Sequence, residues 1–294
     1  MVREHCKSGA MLELNSGDYR VVIDPERGGS LAAFEWAGHA ILRASKPGTM
    51  SETACFPIVP FSNRIEAGQF EMDGNTFQLA PNAPSLDGNN PIHGFGWLSA
   101  WEVVDADATR VVIQHTHDAS EWPWRYRARQ YILLGENGLL LQLEVTNLDE
   151  TVMPAGLGFH PYFPRRAEAL YHGLHLGEWS VDNGCLPTRL VELSEPADWW
   201  KGAPVGSRSV DTVYTGRHGP LTLIWPDIAA KATIKPSENL PFTVVYSPHG
   251  RDFFCVEPVS HETDAINMKP GGMAALAPRE TMQAWMHIEI ESAD

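Results

Sequence analysis

Long helical stripes are nearly absent from this chain, and no hydrophobic run approaches the length of a membrane span. The opening stretch, "MVREHCKSGAMLELNSGDYR", has no apolar core of signal-peptide length. Cysteine is scarce: Cys6, Cys55, Cys185 and Cys255 are scattered, and no CxxC occurs, which removes zinc-finger and thioredoxin readings. Cationic residues are outnumbered, 22 Lys+Arg against 37 Asp+Glu, giving a net charge of −15. That balance repels polyanions, so neither nucleic acid nor an anionic membrane is an expected partner. A Gly-rich nucleotide fingerprint is also missing. Scattered thiols without an export signal predict a cytoplasmic protein.

What the chain has is a period of two. "YRVVIDPERGGSLAAFEWAGHAIL", "SAWEVVDADATRVVIQHTHD", "GPLTLIWPD", "ATIKPSENLPFTVVYS", "DFFCVEPVS" and "ETMQAWMHIEIES" read as short strands broken by turn residues. Asp73-Gly74-Asn75 and Glu136-Asn137-Gly138 mark hairpins. The 22 prolines and 25 glycines suit a strand-and-turn protein. Strand signals run from end to end without a composition shift, a linker or a repeat. The expectation is therefore an all-β fold, a large antiparallel β-sandwich forming one domain over residues 1–294, with few short helices, the best candidate lying around Asp198–Lys201.

Five stretches carry chemistry-bearing residues. In "GFHPYF", Pro161 stiffens the backbone after His160 and biases that histidine toward extended geometry, so the imidazole is held on an aromatic-walled strand. In "DFFCVEPVSHETDAINM", Glu257 ends an apolar run; it is either a buried carboxylate that needs a partner or an outward residue of an edge strand. In "FPIVPFSNRIEAGQF", Arg64 offers a rigid fork of donors to hydroxyls or carboxylates, or else pairs with Glu66 at the surface. In "NNPIHGFGWLSAWEV", His93 sits at a loop or strand end, while Trp97 and Trp101 either pack the core or wall a sugar site. In "SVDTVYTG", Asp211 accepts sugar hydroxyls or caps a turn.

Two histidine pairs point toward metal. His115, His117 and Glu121 have the spacing of a cupin motif, but Thr109 and Ala128 stand where a cupin has glycine. "PAGLGFH" is one residue too long for the second cupin motif, which turns its histidine to the other face of a strand. His172 and His175 lack an obvious third ligand nearby. No metal ligand is assigned.

Taken together and in order, "PFSNRI…G", "IHG…W.V", "GFHPYF" and "VEP…DAIN" resemble the aldose 1-epimerase (mutarotase) family across roughly residues 20–290. The resemblance implies the galactose mutarotase-like supersandwich and an isomerase that interconverts the α and β anomers of a free aldose by general acid/base ring opening. It implies His160 as the acid acting on the ring oxygen and Glu257 as the base on the anomeric hydroxyl. His93 would hydrogen-bond near the anomeric region. Arg64, Asp211 and Asn63 would hold the sugar, with Ser247 a further candidate. The stretch 168–245 departs most from the family pattern.

No cofactor is expected, since ring opening is neither a redox step nor a route through a stabilised carbanion. Reference pKa values of about 4.3 for Glu and 6.5 for His make the carboxylate ready to accept near neutrality, and a neighbouring carboxylate is expected to raise the protonated fraction of the histidine. The expected partner is a monosaccharide, and the expected assembly a monomer or homodimer. The alternatives are a non-catalytic carbohydrate-binding β-sandwich, a cupin-like metal isomerase, a two-carboxylate glycosidase, and a sugar-phosphate 1-epimerase supported by Arg165 and Arg166.

Overall fold

The computed structural model describes residues 11–268 and 272–293, so Cys6 lies outside it. Eighteen strands join into one sheet whose pairings are all antiparallel. Two-stranded sheets add Met153–Ala155 with Ala274–Leu276 and Gln69–Met72 with Asn75–Gln78. Among the described residues the only helices are five 3-10 turns of three residues each. No helix there is long and apolar enough to cross a membrane.

Alternation drives the folding. Tyr126–Gly135 and Gly138–Asn147 bury every second side chain along most of their length, as a sheet with one face on the core requires. Both hairpin turns are tighter than their sequence signals suggest. Met72 pairs with Asn75, which leaves Asp73 and Gly74 alone in the turn at φ +50° and +76°. Gly135 pairs with Gly138, so Glu136 and Asn137 form the other turn. The helix expected around Asp198–Lys201 does not form. Asp198 ends the strand Pro187–Asp198, and its carboxylate accepts the N–H groups of Trp200 and Gly202. A short polar side chain that binds its own downstream backbone winds a turn and competes with a helix.

Five adjoining strands form the part of the sheet that matters for function: Cys55–Ile58, Gly158–Pro164, Phe253–Val259, Phe242–Ser247 and Val210–Thr215. Their side chains divide by parity. Phe159, Phe163, Phe254, Val256 and Val245 enter the main core. Phe56, Tyr162, Cys255, Val244 and Val213 form a second apolar cluster on the opposite face, together with Ile92 and Trp97 from the covering loops. Glu257 therefore lies on an interior strand, between Gly158–Pro164 and Phe242–Ser247, and not on an edge. Trp97 and Trp101 are both buried. Trp101 belongs to the main core, and Trp97 stacks on Phe56 with centroids 5.0 Å apart.

The loop after the first of these strands docks through backbone proximity. Gly94 lies against Val59 with φ +67°, and a Cβ there would meet the Val59 carbonyl and Pro60 Cδ. Gly74 has φ +76° and open space around it. Gly94→Ala is therefore expected to cost about 3 kcal/mol or more, and Gly74→Ala only about 1–2 kcal/mol. Urea unfolding of the two variants measures the contrast, and equal losses would contradict the close docking of this loop.

Candidate functional site

The register that pairs Gly158 with Val259 and Tyr162 with Cys255 sets His160 across from Glu257 on the cleft face of the sheet. Between those two pairings the ladder is interrupted, at the level where Pro161 and Pro258 have no N–H to give. The side chains meet instead: His160 Nε2 is 3.2 Å from Glu257 Oε1. His160 is clamped between Phe56 and Tyr162, with ring centroids 4.4 and 4.6 Å away. Phe56 is its cross-strand partner, and Tyr162 is its same-face neighbour two residues along. The pair is almost fully buried, at 7% and 2% side-chain exposure. Glu257 Oε2 has no hydrogen-bond partner and remains an open acceptor.

Burial dominates the electrostatics. It pushes the Glu257 carboxyl well above its usual range; nearby Asp211 adds to this and Arg64 opposes it. The same burial lowers His160 to about 3. The expectation that the carboxylate would raise the histidine's protonation is thus reversed, because loss of water outweighs the attraction between the partners. Burial thus favours the uncharged form of each group, a carboxyl at Glu257 beside a neutral imidazole at His160.

His93 and Asn63 form a reciprocal lock. His93 N–H donates to the Asn63 carbonyl at 3.0 Å, and Asn63 N–H donates to His93 Nδ1 at 3.2 Å. Both residues sit at positive φ, +58° and +57°, a conformation that this mutual bonding holds in place. With Nδ1 accepting, neutral His93 carries its proton on Nε2. The lock has a second anchor that the sequence reading missed. His261 donates from Nδ1 to the Glu262 carbonyl and accepts Ser62 N–H on Nε2 at 3.0 Å. Ser62, Asn63 and Arg64 thus each give their backbone N–H to a side chain, the third being Asn63 Oδ1. Only the position of His261 four residues after Glu257 hinted at this.

Arg64 is held by carboxylates other than Glu66. Its Nε donates to Asp87 at 2.8 Å and its NH2 lies 3.6 Å from Asp211. Asp211 is one residue into the strand Val210–Thr215, opposite Tyr246, and caps no turn. These groups line a cleft of about 210 Å³ together with Phe56, Trp97, Tyr162, Tyr246, Arg251 and Phe253. Asn63, Arg64, His93, His160, Asp211 and Glu257 all face it. Ser247 does not: it is buried, accepts from Arg165 and donates to the Arg208 carbonyl. Asp87, Tyr162, Tyr246, Arg251 and Phe253 were not singled out by the sequence.

Neither histidine pair assembles a metal site. His115 and His117 pack with Trp101, Phe95 and Tyr126, while Glu121 is bonded to Ser120. His172 pairs with Asp198, and His175 packs on Tyr214. Among the described residues the one cluster with metal-ligand proximity is His93, His160 and Glu257, whose ligand atoms lie within 4.8 Å of one another. A metal-bound histidine ordinarily donates through its second nitrogen, whereas His93 Nδ1 accepts. The donor set therefore fits an acid/base site better than a metal site.

Burial lowers His93 well below the usual histidine value, His160 to about 3, and His115, His175 and His261 to about 4. The unfolded chain, with histidines near 6.5, then binds more protons than the folded one as pH falls, so these groups remove stability on acidification. Glu257, raised in the fold, acts in the other direction: its contribution is present below the unfolded carboxylate value and is lost as pH rises through the folded one. The lowered histidines, which include His117 and His287, outnumber the raised carboxyls of Glu257 and Asp264 and predict a Tm that falls between pH 7 and pH 5, by more than about 5 °C. Calorimetry over that range checks it, and a flat profile would contradict neutral burial of these rings.

Comparison with known proteins places the fold and the family. The uncharacterized Escherichia coli K12 protein YphB is 29% identical over 288 residues, spanning 95% of this chain and 98% of its own. A solved Escherichia coli K12 structure, provisionally named an aldose 1-epimerase, superposes with a TM-score of 0.88 at 27% identity, covering 96% of this chain and 99% of that one. A galactose mutarotase-like protein from Clostridium acetobutylicum shares the fold at a TM-score of 0.84 and 19% identity, covering 97% and 96%. The family model for aldose 1-epimerase matches residues 10–289. The chain belongs to the aldose 1-epimerase family.

Proposed function

We propose that the protein is a mutarotase, exchanging the α and β anomers of a free monosaccharide through His160 and Glu257. The observation that carries this reading is the 3.2 Å contact between Nε2 and Oε1 at the floor of a cleft lined by Arg64 and Asp211. Ring opening removes a proton from O1 and delivers one to O5. Both oxygens are bonded to C1, so the two groups that serve them must stand close together.

A pair holding one proton supplies one acid and one base. Burial favours the uncharged arrangement, with the proton on the carboxyl. Sugar hydroxyls add dipoles, and the Arg64 guanidinium favours the Glu257 anion. Both effects move the proton toward His160. Glu257 then takes the O1 proton while His160 protonates O5. Rotation about C1–C2 and closure with the roles exchanged give the other anomer. His93, with its Nε2–H, acts as a fixed donor to the oxygen that gains charge. Tyr246 and Phe253 offer aromatic surface to the apolar C–H face of a pyranose, while Tyr162 is stacked on His160 with the Arg43 guanidinium over its ring.

A neutral sugar suits the cleft better than a phosphorylated one. Arg165 and Arg166, the support for a phosphate reading, bond to Ser247 and Asp227 and do not line the cleft. A purely binding module has no use for a buried acid/base pair, which is costly to maintain.

Anomer exchange followed by NMR over neutral hexoses, pentoses, uronates and sugar phosphates tests the proposal. Glu257→Gln and His160→Asn are each expected to lower kcat by about 10²–10⁴-fold, with KM changed by less than about threefold. The acid limb of kcat/KM is expected above the ordinary carboxylate range, since Glu257 is raised. Exhaustive chelation is expected to leave the rate unchanged. Sugar binding without accelerated exchange would replace this reading with the binding module, and loss on chelation with rescue by a divalent ion would replace it with the metal isomerase.

A further inference from the structure

The loop residue Asp87 collects more hydrogen bonds than any other carboxylate around the cleft. Its Oδ1 accepts the backbone N–H groups of Asn89 and Asn90, each at 2.9 Å, and the Asn90 side-chain amide reaches both of its oxygens. Its Oδ2 accepts Arg64 Nε at 2.8 Å. Side-chain exposure is 10% for Asp87 and 13% for Arg64. Burial alone would raise the Asp87 pKa, but the N–H donors of Asn89 and Asn90, with Arg64, more than offset it and hold the carboxyl below its usual value. The group is an anion at any pH at which the cleft works.

The loop is built around that anion. Asn90 Oδ1 accepts Ala67 N–H, and Asn82 ties itself to Ile92 and Gly94 on either side of His93. The strand-like bridge between Arg64 and Ile92 joins the two loops. A guanidinium has one Nε edge and one NH edge. With Nε committed to Asp87 and NH1 to Asn63 Oδ1, NH2 is left toward Asp211 and the cleft.

We propose that Asp87 is a positioning residue of the site: its carboxylate fixes the Arg64 guanidinium by the Nε edge, so that NH2 faces the sugar hydroxyls beside Glu257. The function assigned to this contact rests on the mutarotase reading, whereas the contact itself does not. Asp87 also sets the charge around the base. Arg64 lies between two carboxylates, so its pull on Glu257 is partly cancelled, and the base keeps its raised proton affinity. Asp87 touches no substrate and acts through Arg64.

Asp87→Asn is the discriminating change. An amide has one acceptor oxygen where the carboxylate has two. If that oxygen serves Asn89 and Asn90, the amide N–H₂ confronts Arg64 Nε–H, donor against donor. If it serves Arg64, the loop amides lose their acceptor. The expected result is a KM raised roughly tenfold or more, with kcat within about threefold, because the sugar is held less well in ground and transition states alike. The acid limb of kcat/KM should move to lower pH, since removing a negative charge next to Arg64 favours the Glu257 anion. Asp87→Glu restores the charge and should return the limb toward its original position.

Independently of any sugar, the Arg64 Nε–H resonance of the unliganded protein should be protected from exchange in the wild type and lost in Asp87→Asn. Thermal unfolding of both variants accompanies the measurements. Should Asp87→Asn keep both the protected Nε–H signal and the wild-type KM and pH profile, the proposal is overturned. A shift in KM with no movement of the acid limb, and no rescue by Asp87→Glu, would reduce Asp87 to a loop staple and overturn it equally. A wild type that accelerates no anomer exchange removes the mutarotase reading, and the Nε–H comparison then decides the Asp87 contact alone.

Discussion

A carboxylate and an imidazole placed opposite each other on neighbouring interior strands, away from water, form the constraint around which this structure is arranged. Either group alone at that depth would be severely destabilising. Together they meet at 3.2 Å in forms that burial keeps uncharged, and the walls of Phe56 and Tyr162 keep the imidazole from turning away. The surrounding sheet makes this tolerable by parity. Alternate residues of the five strands face the main core, and the residues between them form the second apolar cluster beside the cleft. A register slip of one residue would bury Phe159 in the cleft and drive His160 into the core.

The division of labour between strand and loop follows. Strands carry His160, Glu257 and Asp211, whose relative positions are fixed by pairing. Loops carry Asn63, Arg64, Asp87 and His93, and these need local devices to match the precision of the sheet. The devices are the His93–Asn63 exchange of bonds, His261 at the Ser62 amide, and the Asp87 cage. Positive φ at Asn63 and His93 is the conformational cost of aiming these groups inward.

Much of this was written in the sequence, for specific reasons. Period-two patterning gave the strands, because a half-buried strand must alternate. The ordered motifs around Arg64, His93, His160 and Glu257 gave the family. What patterning cannot show is which strand lies beside which, so nothing local revealed that Glu257 is interior or that Tyr246 stands across from Asp211. Asp87 escaped notice because its importance comes from contacts 23 residues away, and "SLDGNN" reads as an ordinary turn. Ser247 enters only through the family resemblance, as a candidate for a further sugar-binding polar residue, but its hydroxyl faces Arg165 and the Arg208 carbonyl. The direction of the His160 shift was misjudged because a sequence lists partners without revealing how much water they lose.

The placement of reactive groups on strands and of Leu86, Arg251 and the Arg64 platform on connecting segments separates two kinds of evolutionary change. Insertions and replacements in the connecting segments change the loop residues around the cleft while the strand register that sets His160 opposite Glu257 stays in place. A duplicated gene with this architecture is therefore free to change the lining of its cleft without first losing the strand-borne pair.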